Sequence, residues 1–292
     1  MTSSSRKTGY LDSDFQIFHI TDQPQTVFAP HYHDFHKILI FLRGNASYVV
    51  EGRQYDLVPG DVVLVEAGEV HRPLIHDSSV YERVILYLSF SFFDRLEQEG
   101  WDLFRCFRQG RENCSSLVRL SSPEAFHFPR MIRDLASASK DNGYTASLYR
   151  RVKLTEFLIL LNRALMAEPM GYAQAVTANP TVLRIMEYIN DHLTQETLTV
   201  DAIAKACFLN RSYLMHLFKA ETGYTIGTYI TEKRLFLARG YMSSGMAVTE
   251  ACYRSGFRNY ASFYYAYRQK YHIPPTGKTA PLSETDWSPD CE

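Results

Sequence analysis

The sequence predicts an α+β chain of two domains, an N-terminal antiparallel β-barrel with added helices followed by an all-α domain. Three observations carry this. Between His31 and Phe90, short apolar runs alternate with Gly- and Pro-containing turn signals, the mark of strands about five residues long in a barrel or sandwich. From Ser91 to Glu168 the apolar spacing lengthens to that of helices. Between Leu198 and Pro275 one pattern of two short amphipathic helices joined by a tight turn occurs twice, offset by 48 to 49 residues.

Composition narrows the alternatives. A chain of 292 residues makes two domains on a prior of about 100–200 residues each. Hydrophobic residues make up 46% of it, ample for real cores. The opening Met1-Thr-Ser-Ser-Ser-Arg-Lys7 lacks the apolar run of a signal peptide. No stretch approaches the roughly 18 apolar residues that span a bilayer, so a cytoplasmic, non-membrane protein is expected. Five scattered cysteines, Cys106, Cys114, Cys207, Cys252 and Cys291, form no CxxC pair, which points to reduced thiols. The net charge of −1 is unevenly spread, since residues 178–278 hold 12 Lys+Arg against 7 Asp+Glu, a balance of +5. Residues 1–177 stand at −2, and residues 279–292 carry four acids.

The elements follow in order. Residues 1–30 read as a polar arm with one strand near Phe15–Ile20. Strands are expected at Ile38–Leu42, Ala46–Glu51, Tyr55–Val58, Val62–Val65, Val70–Ile75 and Tyr81–Phe90. Between them lie Arg43-Gly-Asn45, Gly52-Arg53, Pro59-Gly-Asp61 and Ala67-Gly-Glu69, rich in residues suited to reversal.

Alternation along an extended strand puts His31, His33 and Lys37 on one face. His31-Tyr-His33 followed by Gly44 resembles the first cupin motif, and Pro59-Gly-Asp61 followed by Gly68 and His71 resembles the second. The first domain is therefore expected to be a cupin-like barrel. In metal-binding cupins the matching histidines converge inside the barrel with a glutamate where this chain has Lys37. A protonated lysine brings positive charge and no lone pair, and suits an anionic or hydroxyl-rich ligand. Three readings stay open for His31, His33 and His71: contacts to a small effector, three ligands of a divalent metal, or hydrogen-bonded structural groups. Tyr48, Arg72 and Tyr87 are candidate polar contacts. His36 and His76 are expected to be structural or solvent-facing. No cofactor is required, a divalent metal in the barrel being the one candidate.

Beyond the barrel, Ser122-Pro-Glu124 is a helix start, and Met131, Ile132, Leu135 and Ala138 fall in register. A long helix is expected over about Ala146–Ala167. Leu154, Leu158, Leu161 and Leu165 recur at 4-3-4 spacing, a coiled-coil-like seam and the candidate dimerisation surface. Phe157, Leu160 and Val152 widen that stripe, so one side packs on the barrel while the other meets a second subunit; packing within the core alone is the alternative. Residues 171–179 read as a linker.

In the second domain, Pro180 opens a helix with Val182, Ile185, Met186, Ile189 and Leu193 on its buried face. The first repeat has Val200, Ile203, Ala204 and Cys207 before its turn, then Leu214, Leu217 and Phe218; the second has Val248, Ala251, Cys252 and Ser255, then Phe263, Ala266 and Tyr267. Each is a helix-turn-helix, whose second helix lies in the DNA major groove. A helix over Ile226–Tyr241, about 24 Å long at 1.5 Å per residue, would space the two readers along one duplex face.

This tandem arrangement resembles the DNA-binding domain of the AraC/XylS family of bacterial transcription regulators. The carrying residues are Leu198-Thr-Val-Asp-Ala-Ile-Ala204, Ser212-Tyr-Leu-Met-His-Leu-Phe-Lys219, Glu221-Thr-Gly223 and Thr228-Tyr-Ile230. In the second repeat they are Val248-Thr-Glu-Ala-Cys252, Ser255-Gly-Phe257, Ser262-Phe263 and Ile273-Pro-Pro275. Phe208 and His272 stand where the family often has glycine, and the acidic tail with Trp287 has no counterpart in the resemblance. The residues facing DNA are Arg211, Ser212, Met215, His216 and Lys219 in the first repeat, and Tyr260, Ala261, Tyr264, Tyr265 and Arg268 in the second. Arg211 or His216 would donate to guanine, Met215 and Ala261 would touch thymine methyls, and Lys219 and Arg268 suit phosphates. Asn210 and Asn259 are expected as helix caps.

The expected division is residues 1–120 for arm and barrel, 121–170 for a helical dimerisation layer, 171–179 for a linker, 180–278 for the DNA reader and 279–292 for the tail. The function this implies is a ligand-responsive, non-enzymatic transcription regulator, more in keeping with an activator. It is expected to act as a homodimer on double-stranded promoter DNA, with RNA polymerase as a further partner of an activator. Its effector, a sugar or small acid, would bind among His31, His33, Lys37, Tyr48, His71 and Arg72. The alternative is a metal-dependent cupin enzyme fused to a DNA-binding module.

Overall fold

The strands of the larger sheet read as unbroken apolar runs because both faces of that sheet are buried. In the computed structural model, residues 11, 13–23, 28–243 and 245–275 are described; most of the expected N-terminal arm and all of the acidic tail, with Trp287 and Cys291, lie outside them. The chain separates into two units between Thr177 and Ala178.

The first unit opens with β1 (Phe15–Asp22), β2 (His36–Arg43), β3 (Ala46–Val50), β4 (Arg53–Asp56), β5 (Val62–Val65), β6 (His71–Ile75) and β7 (Tyr81–Leu88). Helices α1 (Phe90–Gln98) and α2 (Arg105–Glu112), strand β8 (Leu117–Val118), helices α3 (Phe128–Ser139) and α4 (Ala146–Ala167), and strands β9 (Tyr172–Ala173) and β10 (Thr177–Ala178) follow. Two sheets form, ordered β1-β7-β2-β5-β8-β9 and β10-β4-β3-β6. The pairings among β1 to β9 are antiparallel.

Side-chain alternation sorts the larger sheet into two cores. Leu39, Phe41, Val63, Val65, Ile85 and Tyr87 meet Tyr48, Val50 and Tyr55 of the smaller sheet, filling the barrel. Ile38, Ile40, Val62, Leu64, Val84 and Leu86 point the other way, onto α1 to α4. Leu154, Leu158, Leu161 and Leu165 of α4 belong to that second layer, none more than 1% exposed. They are not a surface seam: the 4-3-4 spacing and its widening by Phe157 mark a helix lying across a sheet. Leu148, Val152 and Met166, on the opposite side of α4, are more than half exposed.

The expected linker also begins differently. Tyr172 and Ala173 pair with β8, the Arg119 amide donates to the Gly171 carbonyl at 2.7 Å, and the Tyr172 hydroxyl donates to the Cys106 carbonyl at 2.5 Å. A two-residue strand has no periodicity to read. The Asp61 turn is pinned in the same region, where Arg119 donates to both carboxylate oxygens at 2.8 and 2.6 Å.

The second unit holds α5 (Pro180–Asp191), α6 (Val200–Ala206), α7 (Arg211–Thr222), α8 (Ile226–Ser243), α9 (Val248–Arg254) and α10 (Tyr260–Tyr271). Their starts are chemically specified. Asn179 accepts from the Thr181 amide, with Pro180 at the first helical position; Thr199, Asn210 and Asn259 accept from Ala202, Ser212 and Ser262. Each such cap contributes about 1 kcal/mol. Ile185, Ile189, Ile203, Leu214, Phe218, Tyr229, Leu235, Ala251, Cys252 and Phe263 are buried in this unit.

The two helix-turn-helix turns place Phe208 and Gly256, 48 residues apart, in the left-handed region, with φ of 56° and 92°. Their surroundings differ sharply. Phe208 is 91% exposed, whereas a Cβ on Gly256 would meet the Leu193 carbonyl oxygen at 2.6 Å and Arg234 Nε at 2.9 Å. Arg234, buried on α8, donates from Nε to Leu193 O and from Nη2 to Gln195 O, each at 2.8 Å. It ties α8 to the end of α5 beneath the second turn.

Candidate functional site

His31 reaches the barrel through an isolated bridge to His71, with the His31 amide donating to His71 O at 3.1 Å and the His71 amide to His31 O at 2.8 Å. The chain then bends rather than running extended, and β2 begins only at His36. His31 and His33 therefore converge because His31 is anchored to β6, not through alternation along one strand. One ring nitrogen of His31, His33 and His71 lies within 4.8 Å of those of the other two. Ring centroids stand 4.5 Å apart for His31–His71 and for His33–His71.

His33 and His71 are buried and His31 half-buried. Burial pushes the His71 imidazolium well below its ordinary pKa, and His31, His33 and Lys37 push the same way. His71 is thus a neutral imidazole. Lys37 shares the inward side of β2 with Leu39 and Phe41, fully buried, its Nζ 5.5 Å from the Tyr48 ring centroid. The Tyr48 ring in turn stacks 6.0 Å from His71. Tyr87 lies across Lys37 on β7, its ring 5.6 Å from His33. Arg72 does not join them: it follows His71 on β6 opposite the half-buried Val49, on the outer side of the sheet.

Arg83 was missed in the sequence. It shares parity with Tyr81, Ile85 and Tyr87, and that parity within an apolar run was the available signal. Fully buried, it donates from Nη1 to Asp22 Oδ1 at 2.6 Å and to Tyr81 O at 3.2 Å, and it lies 4.2 Å over the Tyr81 ring. Its Nε and Nη2 have no hydrogen-bond partner among the described residues. That pair of N–H groups is the edge a carboxylate engages in bidentate fashion.

His36 and His76 take structural roles. The His36 ring sits among Phe90, Phe93, Phe104 and Phe107 with centroids 4.7 to 5.6 Å away, and accepts from the Ala67 amide at 3.2 Å. Burial, aided by the charge of Arg111, lowers its pKa to about 3. His76 Nε2 lies 2.6 Å from the Ser47 hydroxyl.

In the second unit, α7 presents Arg211, Ser212, Met215, His216 and Lys219 to solvent while burying Leu214 and Phe218. On α10, Tyr260 and Tyr264 are half-buried, Ala261, Tyr265 and Arg268 are exposed, and Phe263, Tyr267 and Tyr271 form the buried side. Arg211 is engaged, its Nη1 paired with Asp201 on α6. Because both partners are largely exposed, the pair is worth about 0–1 kcal/mol, little enough for a base or phosphate to displace it.

Comparison with known proteins matches both halves. Residues 16–158 fit the AraC-like ligand binding domain and residues 186–278 a helix-turn-helix domain. The HTH-type transcriptional activator RhaS of Enterobacter sp. (strain 638) is 25% identical over 256 residues, covering 86% of this chain and 87% of that protein. RhaS of Klebsiella pneumoniae (strain 342) is 24% identical over 269 residues, with the same coverage. Among solved structures, the C-terminal domain of the response regulator AraT from Geobacillus stearothermophilus matches at 25% identity and a TM-score of 0.34, over 37% of this chain and 91% of that one. ToxT from Vibrio cholerae O395 matches at 13% identity and a TM-score of 0.37, over 90% and 96%. With a ligand-binding domain of AraC type joined to a helix-turn-helix domain in one chain, the protein belongs to the AraC family of DNA-binding transcription regulators.

Proposed function

We propose that this protein is an effector-responsive transcription activator that binds promoter DNA through α7 and α10 and a small acid inside the barrel. The observation that carries the effector class is charge: Lys37 and Arg83 are both fully buried on the inward side of the larger sheet. Arg83 presents two N–H groups there without a partner among the described residues. An uncompensated buried donor costs about 1–3 kcal/mol, more when charged, and an effector carboxylate would remove that cost. With Nη1 paired to Asp22, the open Nε–Nη2 edge of Arg83 matches the two oxygens of a carboxylate.

On the DNA side, His216 and Met215 sit at the exposed centre of α7 and read bases, with Arg211 joining once released from Asp201. Lys219 and Arg268 hold phosphates. The tyrosines of α10 give that helix more apolar and backbone contact than base discrimination. The protein acts as a cytoplasmic, non-enzymatic homodimer, and as an activator it engages RNA polymerase. The dimer surface is the outer side of α4 with α1. There a groove of about 650 Å³ is lined by Leu96, Trp101, Leu148, Val152, Ile159 and Leu160 among others. These replace the buried leucines as the residues that meet the second copy.

The test is promoter-fragment binding across a salt series, with and without small carboxylic acids. The reading expects affinity to fall steeply with salt, about 0.9 log per log salt for each phosphate contact, and carboxylates to shift occupancy. Salt-independent binding, or a response to neutral sugars alone, would overturn it.

A further inference from the structure

Arg211 begins α7 at a position that its own helix does not favour. It is the first helical residue after the Asn210 cap, and the first turn of α7 holds no acid. A helix N-terminus carries partial positive charge, so a cation there is opposed by the helix itself. What offsets it comes from α6. Asp201, in the first turn of that helix, pairs with Arg211 Nη1 across the helix-turn-helix turn. Both side chains stand in solvent, Asp201 70% exposed and Arg211 54%.

The second repeat shows the same framework without this pair. Glu250, 49 residues after Asp201, also lies in the first turn of its helix, α9, where an acid suits the positive end. Yet Tyr260 stands 49 residues after Arg211, and Glu250 pairs along its own helix with Arg254 at 3.7 Å. The acid is common to both repeats, and the charge pair across the turn belongs to the first.

Asp201 therefore stands beside the residue that opens the first recognition helix, and the N-terminal residues of such a helix are the ones that contact base edges. When Arg211 turns to the O6 and N7 acceptors of guanine, Asp201 is left as a bare carboxylate facing a polyanion. The major groove offers it two kinds of donor, cytosine N4 and adenine N6, and adenine sets its N7 acceptor beside the latter. That acceptor repels a carboxylate, so cytosine is the base that fits.

We propose that Asp201 is a base-reading residue, accepting from the N4 amino group of a cytosine in, or adjoining, the G·C pair whose guanine Arg211 reads. The ion pair is exchanged for two base contacts of matching polarity. At a site lacking them the exchange is incomplete, and Arg211 stays with Asp201. An exposed pair gives up little when it opens, whereas a good base contact is worth about 5- to 100-fold in discrimination. This rests on the reading of α7 as a helix that enters the groove, and the variants below separate the two.

The full-length parent and each variant should be mixed with a pool of random-sequence duplexes and the bound fraction sequenced. Arg211→Ala should relax the preference for one guanine. Asp201→Ala should relax the preference for cytosine at the same or the adjoining base pair, by about 5-fold or more. Asp201→Asn should move that preference from cytosine towards adenine, because an amide donates to N7 and accepts from N6; loss of an ion pair alone would not do this. Glu250→Ala, the matching acid of the second repeat, should leave those positions unchanged. Since Asp201 is exposed, its variants should keep the circular-dichroism melt of the parent. An unchanged cytosine preference in both folded Asp201 variants, whatever their overall affinity, would overturn the proposal. If Arg211→Ala alone relaxes the motif, the reading of α7 stands without it; if no variant does, that reading falls too.

Discussion

Gly256→Ala is a small change that should unfold the second unit far more readily than its size suggests. Two costs add. Alanine at a left-handed φ of 92° carries roughly 1–2 kcal/mol of strain. The added methyl would also stand 2.6 Å from the Leu193 carbonyl oxygen and 3.0 Å from the Thr194 carbonyl carbon, backbone atoms that cannot swing aside. Relief requires the turn to lift, which stretches the two Arg234 hydrogen bonds to Leu193 and Gln195. Losing one of them, at about 1.5–3 kcal/mol, on top of the strain gives an expected loss of about 3–5 kcal/mol. Phe208→Gly supplies the control at the matching turn. It removes the strain at φ 56° and surrenders almost no burial, because the ring is 91% exposed. Against the extra chain entropy of glycine, about 0.5–1 kcal/mol, it should stabilise by roughly 0.5–1 kcal/mol. Urea unfolding of residues 178–278, followed by circular dichroism, measures both. A Gly256→Ala variant that loses no more than the roughly 1–2 kcal/mol of backbone strain would refute the close approach.

Leu158→Asp buries a charge in the sheet–helix layer and should leave the first unit unfolded, whereas Val152→Lys should give a folded monomer by sedimentation; a folded Leu158→Asp variant would return that leucine to the surface. Lys219→Ala should lower the slope of log affinity against log salt by about 0.9 while leaving sequence preference unchanged. His216→Ala should flatten preference with little change in slope. His36 makes the fold acid-sensitive: its folded pKa of about 3 lies below the unfolded value of 6.5, so below that value the unfolded chain takes up a proton the fold refuses. Stability on this account is complete above pH 6.5 and falls by about 1.4 kcal/mol per pH unit towards pH 3. His36→Phe should flatten this part of the pH profile in urea titrations.

The sequence made the helices of the second unit legible almost residue by residue, because a short helix announces itself by caps and a 3.6-residue period. Asn210, Asn259 and the exposed residues of α7 and α10 stand where that logic puts them. The barrel was legible in its strands and less so in its site. His31, His33 and His71 come together through a bridge between distant residues, which spacing along one strand does not encode. The same spacing kept Arg72 in the set although it faces outward. Arg83 shares its parity with Tyr81, Ile85 and Tyr87, but a charge within an apolar run reads first as a surface residue. The seam of α4 misled for a further reason: a helix on a sheet and a helix on a helix bury leucines at the same intervals.

One strand joins the two halves of the first unit's chemistry. β2 sends Lys37 towards the histidines, and its next residues, Ile38 and Ile40, into the layer shared with Leu154, Leu158 and Leu161. The inside of the barrel is therefore separated from the outer side of α4 by one sheet and one helix. Close-packed layers of this kind resist gradual deformation and respond by discrete shifts. If the proposed dimer forms on that face, a change of girth around an acid in the barrel would arrive at Leu148 and Val152 as a displaced ridge.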